Sequence, residues 1–292
     1  MSGLIGAIVV DHDAGRLLEG CVRSLLENGA SIVIVVENGQ VGSASAALRE
    51  IPGGLEAGLV QVVRPGPNVG FGAGVNRGLA ALGGQPFPPE WILVSNPDVV
   101  IHPGGLAALR QVLEAQQTWA LVGPRIFTET GDIYPSVRNF PNLTDAAGHA
   151  LLALFNPKNP FTLRYNPGAP EGDVNISVGW VSGSCFLARR RALEELGGFD
   201  EAYFMYNEDM DLCWRAHEAG WGVGFTGAAE VTHVQGVSTA RHPYRMMVAH
   251  HRSALRFTAR TTKGWRRAAL PLAALVLGVR MAIATLRLAV TR

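Results

Sequence analysis

The chain has 292 residues, 48% of them hydrophobic, with 25 Lys and Arg against 24 Asp and Glu for a formal net charge of +1. That is enough chain and enough apolar surface for a large α/β domain with an appendage, and the balanced charge excludes a globally basic nucleic-acid binder. Three widely spaced cysteines, Cys21, Cys185 and Cys213, sit in apolar patterns and read as reduced core residues, with neither a disulfide framework nor zinc-ligand spacing.

Leu4 to Val10 is a short β-branched run that reads as a first strand rather than a signal peptide, because no basic segment precedes it. Asp11-His12-Asp13 follows, and then Leu17, Leu18, Cys21, Val22, Leu25 and Leu26 recur at helical spacing until Asn28-Gly29. Ser31 to Val36 is a second apolar strand ending at Glu37-Asn38-Gly39, and Leu59 to Val63 is a third. Strand, helix, strand with polar residues gathered at the strand ends predicts a mostly parallel sheet buried on both faces.

The loop Asn68-Val69-Gly70-Phe71-Gly72-Ala73-Gly74-Val75-Asn76-Arg77-Gly78 runs into a predicted helix. Glycines at alternate positions suit either close approach of a diphosphate to free helix-start amides or tight packing against the sheet. The spacing is Gly-x-Gly-x-Gly after a later strand, which argues against a dinucleotide fingerprint. Trp91 to Ser95 then reads as a buried strand that stops at Asn96-Pro97-Asp98. These residues often simply make a turn. A carboxylate released at the carboxyl end of a strand is also well placed to hold a hard metal ion on a phosphate.

Pro103 opens a predicted helix to about Glu114, and Ala120 to Gly123 a strand. The section 124–177, with seven prolines and one helical patch over 146–155, reads as an acceptor-side lid. Val178 to Leu187 reads as one strand containing Trp180, Gly183 and Ser184, followed by a helix over Arg189 to Leu196. Asn207 is a plausible N-cap for a helix beginning Glu208-Asp209-Met210-Asp211. Acids there complement the helix dipole, and Asp211–Arg215 is an i,i+4 pair. Three carboxylates beside an aromatic lead-in also suit a base of raised pKa. Val223 to Thr226 and Glu230 to Val234 read as two strands, and His233 at the end of the second is a metal ligand or an ordinary polar residue.

From His242 onward the pattern is helical and basic. Arg256, Arg260, Lys263 and Arg267 fall on one helical face, and Ala268 to Val279 lacks charge. A spanning helix wants about 20 apolar residues, so a helix in the membrane interface with its arginines on anionic head groups fits better. A helix pair packed on the domain is the alternative.

The order Glu37-Asn38, Asn68 to Gly78, Asn96-Pro97-Asp98, Gly183-Ser184, Glu208-Asp209 and His233 resembles the family 2 inverting glycosyltransferases of the GT-A fold, within them the bacterial rhamnosyltransferase branch. The resemblance covers roughly residues 4 to 240. It implies a Rossmann-like α/β domain over 1–240, a mostly parallel sheet flanked by helices, with a basic amphipathic helical extension over 241–292. It implies Mg²⁺ or Mn²⁺ on Asp98 and His233, with Asn96 assisting. Asp209 becomes the base that deprotonates the acceptor, beside Glu208. Donor or acceptor contacts are expected from Asp11, Glu37, Asn38, Asn68, Gly70, Phe71, Gly72, Asn76, Asn96, Trp180, Gly183, Ser184 and Arg215. Where the family commonly has Thr-Tyr-Asn after the first strand, this chain has Asp11-His12-Asp13, which leaves the base and ribose contacts open. The implied partners are dTDP-rhamnose, or a galactofuranose or other deoxyhexose donor, and a polyprenyl-linked saccharide at the cytoplasmic face of the cell membrane, as a monomer or homodimer and without nucleic acid. A non-catalytic sugar-nucleotide or membrane-docking module, and a nucleotide-dependent oxidoreductase, are the readings from other classes.

Overall fold

The structure, a computed structural model, describes residues 3–52, 54–141, 145, 148, 152, 156, 158–234 and 243–290. The helix expected over 146–155 lies outside these apart from residues 148 and 152, as does the segment 235–242. In chain order come β1 (Ile5–Asp11), α1 (Arg16–Glu27), β2 (Ile32–Glu37), α2 (Ser43–Ala47), β3 (Val60–Val63), α3 (Phe71–Gly83), β4 (Trp91–Ser95), β5 (Val99–Ile101), α4 (Gly105–Ala115) and β6 (Trp119–Thr128). Then follow β7 (Val137–Arg138), α5 (Pro160–Tyr165), β8 (Asn175–Ser177), β9 (Trp180–Val181), β10 (Cys185–Arg189), α6 (Arg190–Glu195), α7 (Glu208–Glu218) and β11 (Gly222–His233). Two helices, α8 (Pro243–Thr261) and α9 (Leu270–Val290), joined through a 3-10 turn over Gly264–Ala269, end the chain.

The main sheet has the order β3-β2-β1-β4-β10-β6-β11-β5, with β8 also pairing β11. β1 to β4 are parallel, β10 is antiparallel to both its neighbours, and β6 and β11 are parallel to each other. Continuous apolar runs are needed because helices cover both faces. Ala7 and Val9 pack with Leu18, Cys21, Val22 and Leu25 of α1. Their neighbours Ile8 and Val10 pack on the opposite face with Val75 and Leu82 of α3 and Leu212 of α7.

The glycines of the 68–78 loop serve this packing. A Cβ at Gly78 would stand 2.4 Å from Ile8 Cγ2, and one at Gly74 would stand 2.9 Å from Val10 Cγ1. The alternation that suits a ligand cradle is therefore used to lay α3 close on β1. Gly70 is different: it has φ +89° and a Cβ there would meet Phe204 O at 2.2 Å, so no other residue fits.

Several expected boundaries move. The strand expected over Val178 to Leu187 is broken by a turn at Ser182–Ser184 into β9 and β10, which belong to different sheets. The two strands expected over Val223–Val234 are one, carrying a register shift between Thr226 and Glu230 that continues the ladder with β6 and β5. β6 runs on to Thr128, so the irregular section begins later than expected. Asn207 precedes α7 in a left-handed conformation, φ 63°, and its side chain caps nothing. Tyr206 before it has φ 69°, so two successive non-glycine residues hold a costly conformation at the entry to α7.

In the C-terminal extension the predicted basic face meets carboxylates of the domain. Arg256 and Arg260 remain 45% and 39% exposed. Both donate to Asp200, at 3.0 and 2.8 Å, and Arg260 Nε also lies 3.2 Å from Asp211 Oδ1. Lys263 pairs with Glu218, Ser253 donates to Met205 O at 2.9 Å, and Phe257 is buried. Basic residues on one helical face are read as a solvent or lipid face only while their carboxylate partners, distant in sequence, are unknown. α8 thus docks on the domain, and α9 returns along it, with Thr285 Oγ1 donating to Met247 Sδ at 3.3 Å. The stretch Gly264–Arg287 is long and apolar enough to cross a membrane, its most apolar 18-residue window having mean hydropathy 2.0 with none of it buried.

Replacing Gly78 by Ala should force α3 off β1 and lower stability by about 1–3 kcal/mol. Gly83→Ala, where a Cβ meets nothing within 4 Å, should be neutral or stabilising by up to about 1 kcal/mol. Urea unfolding midpoints of the two variants check the contrast.

Candidate active site

The polar residues singled out above gather at one edge of the sheet, outside the carboxyl ends of the parallel strands, where open α/β sheets bind ligands. Asp11 stands opposite Glu37 in the β1–β2 register. Ser95, Asn96 and Asp98 follow β4. Because β5 pairs antiparallel with β11, Val99 faces His233, and Val234 N donates to Asp98 O at 2.9 Å. That pairing brings together two residues 135 positions apart, and His233 Nε2 lies 3.1 Å from Asp98 Oδ1.

Both side chains are largely covered, 10% and 12% exposed. Asn96 Nδ2 lies 3.3 Å from the same His233 Nε2, whereas His233 Nδ1 is buried with no partner among the described residues. Nε2 thus faces a donor and an acceptor at once, a conflict that a cation held by the ring lone pair and the carboxylate would remove. Cis ligands on an octahedral Mg²⁺ are about 3.0 Å apart, close to the observed separation. No group of three or more His, Cys, Asp and Glu with metal-ligand placement occurs among the described residues, so the remaining ligands would be substrate oxygens and water. The Asp98–His233 pair fits a divalent ion in those terms.

The 182–184 turn links this corner to α7. Asn96 N donates to Ser184 O at 2.8 Å, and Gly183 N donates to Asp209 Oδ2 at 2.7 Å. Asp209 Oδ1 accepts from Met210 N at 2.8 Å. Gly183 lets the turn approach this carboxylate closely, since a Cβ would stand 3.1 Å from that of Asp209. Asp209 lies in a recess, retaining some exposure while enclosed by protein. Burial pushes its carboxyl above the ordinary aspartate value, opposed by the amides of Gly183 and Met210 and by the charge of Arg138. Glu208 is buried, 6% exposed, with Oε2 lacking a partner among the described residues. Burial and the neighbouring Asp209 charge push its pKa up. Asp11 is fully buried: one oxygen caps Ala14 N at 3.0 Å and the other has no partner among the described residues. Burial raises it too.

Other residues expected to contact donor or acceptor have partners within the protein. Glu37 accepts from Gly42 N, Ala44 N and Arg64 Nε, at 2.7–3.0 Å. Burial would raise its carboxyl, but these donors outweigh it and hold it below the usual range. Asn38 donates to Asn68 Oδ1 and Gly70 O and accepts from Val69 N. With Gly70 N bonded to Asn68 and Phe71 N to Phe204 O, the first amides of the glycine loop are taken by protein. Asn76 binds both backbone groups of Phe199, and Gly72 and Phe71 pack on that ring. Arg215 donates to Asp211, Leu196 O and Gly198 O. Trp180 is buried, its indole donating to Asn139 O, and Ser184 Oγ pairs with Ser182 Oγ at 2.9 Å. In the folded chain these side chains hydrogen-bond or pack within the protein.

Arg138 was not anticipated. Its guanidinium stacks 5.0 Å from Trp180 and 5.7 Å from Tyr165 and acts electrostatically on Asp209. Tyr134 packs edge-on to His233 at 6.1 Å. Both lie in the proline-rich section, where no periodicity marks a residue, and only the β7–β9 pairing of Arg138 with Trp180 brings it in.

Glu208 yields a stability test. Its raised native pKa means that stability is fully present at acid pH and is lost as pH rises past the unfolded carboxyl value toward the native one. Glu208→Gln, which mimics the neutral acid, should leave the melting temperature little changed at about pH 5 and raise it by several degrees at about pH 8. Scanning calorimetry at the two pH values checks the divergence.

A family model described as glycosyltransferase like family 2 matches residues 3–247. An N-acetylglucosaminyl-diphospho-decaprenol L-rhamnosyltransferase of Mycobacterium tuberculosis is 38% identical over 282 residues, covering 92% of this chain and 89% of that protein. A rhamnosyltransferase of Escherichia coli is 29% identical over 200 residues, covering 65% of this chain and 70% of that one. Among solved structures, a mannosyltransferase from Pyrobaculum calidifontis in complex with GDP-mannose and Mn²⁺ superposes with TM-score 0.58 at 15% identity, over 98% of this chain and 76% of that one. A GalNAc transferase, GalNAc-T7, with UDP, GalNAc and Mn²⁺ gives 0.59 at 14% identity, over 80% of this chain and 44% of that one. The neighbours share the GT-A fold. With the family model spanning most of its length and a relative aligned nearly end to end, the chain belongs to glycosyltransferase family 2 and is a sugar-transferring enzyme.

Proposed function

We propose that this enzyme transfers L-rhamnose, with inversion, from dTDP-rhamnose to an N-acetylglucosaminyl diphosphate carried on a polyprenol, at the cytoplasmic face of the membrane. The observation that carries this reading is the Ser182–Ser184 turn, which holds Asn96, beside Asp98 and His233, on one side and Asp209 on the other. The name of the mycobacterial relative supports the sugar and the acceptor.

Asp98 and His233 would hold a divalent ion, Mg²⁺ or Mn²⁺, with Asn96 assisting, and the charge supplied there would offset that of the diphosphate leaving group. Asp209 Oδ1 or Oδ2 takes the proton from the acceptor hydroxyl as that oxygen bonds to the anomeric carbon and the bond to the diphosphate breaks. A base at Asp209, with no carboxylate assigned as a nucleophile among the described residues, suits inversion by analogy with glycosidases. Burial gives Asp209 the proton affinity a base needs, and the Gly183 amide and Arg138 keep it ionisable. Glu208, buried beside it, tunes that environment. Asp11, with one buried oxygen unpartnered among the described residues, is a further candidate contact for the donor.

The 21-residue α9 is about 31 Å long at 1.5 Å per residue, close to the hydrocarbon thickness of a bilayer. Leu272, Leu275 and Leu286 are each more than 60% exposed, and the helix either lies in or crosses the membrane that carries the acceptor.

Asp209→Asn should lower kcat by about 100-fold or more while the donor KM stays within about twofold. Steady-state release of nucleoside diphosphate measures both, and near-normal turnover would remove the base assignment. A panel of nucleotide sugars assayed with Mn²⁺ should select dTDP-rhamnose; preference for a galactofuranose donor would redirect the specificity, and no transfer from any donor would favour a binding module. Ending the chain after Thr262 should abolish flotation with anionic vesicles, and equal flotation of the shortened chain would remove the membrane role of α9.

A further inference from the structure

Between the domain and the C-terminal helices lies a groove of about 510 Å³ that no step above uses. Its floor is a three-ring cluster. Phe140 stands edge-on to Trp214 at 5.1 Å and stacks on Phe257 at 6.3 Å, and Trp214 meets Phe257 at 6.1 Å. Its mouth carries Lys263, Trp265 and Arg266. Trp265 is 85% exposed, with the Arg266 guanidinium 6.0 Å over its ring. Arg266 has no carboxylate partner among the described residues, and Lys263 holds Glu218 in an exposed pair, the kind most readily exchanged for another anion.

We infer that this groove binds the isoprenoid diphosphate arm of the acceptor, the diphosphate on Lys263 and Arg266 and the first isoprene units on Trp265 and the aromatic floor. The inference rests on the polyprenyl-linked acceptor proposed above. Three observations select this occupant. An aromatic recess with two cations at its rim complements a chain that is apolar at one end and doubly anionic at the other. The rim opens at the start of the exposed apolar stretch Gly264–Arg287, so a chain leaving the groove passes along α9 toward lipid. The inner wall belongs to α7, the helix whose first turn carries Asp209, through Trp214. A bulk phospholipid surface needs the cations but not the recess.

The test uses the full chain and farnesyl diphosphate as a soluble probe, followed by tryptophan quenching. Saturable quenching is expected, with farnesol and inorganic diphosphate each binding much more weakly. Lys263→Ala with Arg266→Ala should weaken farnesyl diphosphate by about tenfold or more. Trp265→Ala, a change at an exposed side chain that leaves the core intact, should weaken it comparably. Unchanged affinity in both variants overturns the assignment. Displacement of the probe by phosphatidylglycerol vesicles as complete as by excess farnesyl diphosphate also overturns it, since the cations would then serve bulk lipid. If wild-type protein binds the probe as expected but transfers no sugar to N-acetylglucosaminyl-diphospho-polyprenol, the acceptor reading fails and the groove stands. If transfer proceeds with the acceptor KM unchanged in both variants, the groove fails and the acceptor reading stands.

Discussion

The Ser182–Ser184 turn is the constraint on which the candidate site depends. Through two hydrogen bonds of its backbone groups it ties the end of β4 to the start of α7: Asn96 N donates to Ser184 O on one side, and Gly183 N donates to the Asp209 side chain at Oδ2 on the other. The turn thereby sets a corner that suits a cation beside a carboxylate that suits a proton. The small residues that make the turn follow from this geometry, since a side chain at position 183 would crowd Asp209.

Around that turn the protein sustains groups that are costly to bury. Asp11, Glu208 and His233 each keep a buried polar atom without a partner among the described residues. Tyr206 and Asn207 hold left-handed conformations just before Glu208. Orphaned polar atoms and strained backbone each cost of order 1–3 kcal/mol. They persist because the sheet and two packed cores over-determine the surrounding chain. Glu37 marks the contrast: a carboxylate at the same sheet edge but fully satisfied by Gly42, Ala44 and Arg64, and held below its usual pKa range. One carboxylate organises a loop and the others remain available for a ligand.

Asp211 extends the network to the C-terminal helices. Wholly buried, it binds Arg215 at 2.8 Å, Arg260 at 3.2 Å and the Tyr203 hydroxyl at 3.3 Å. A buried carboxylate with three partners tolerates the loss of none of them easily. It therefore couples the docking of α8 to the placement of α7, so the helix that continues into the apolar α9 bears directly on the helix that carries Asp209.

Much of this was legible along the chain. Continuous β-branched runs such as Ile32–Glu37 determine buried parallel strands, helical periodicity determines α1, and the polar residues after those strands mark the ligand edge, because each signal is local in period and length. The Asn-Pro-Asp turn, the Glu208-Asp209 helix start and His233 could likewise be singled out as residue types in order. Tertiary structure decided the rest, because the rest depends on partners distant in sequence. Gly74 and Gly78 turn out to seat α3 on β1, a choice between ligand and sheet that spacing leaves open. Arg138 reaches Asp209 only through a two-residue strand pairing in a section without periodicity. Arg256, Arg260 and Lys263 read as a basic face until Asp200, Asp211 and Glu218 are seen against them. Sequence by itself determined which groups the chain carries to the edge of its sheet; only the folded chain determined which of them are already bonded to protein, since a hydrogen-bonding group can be counted as free only when every neighbour is known.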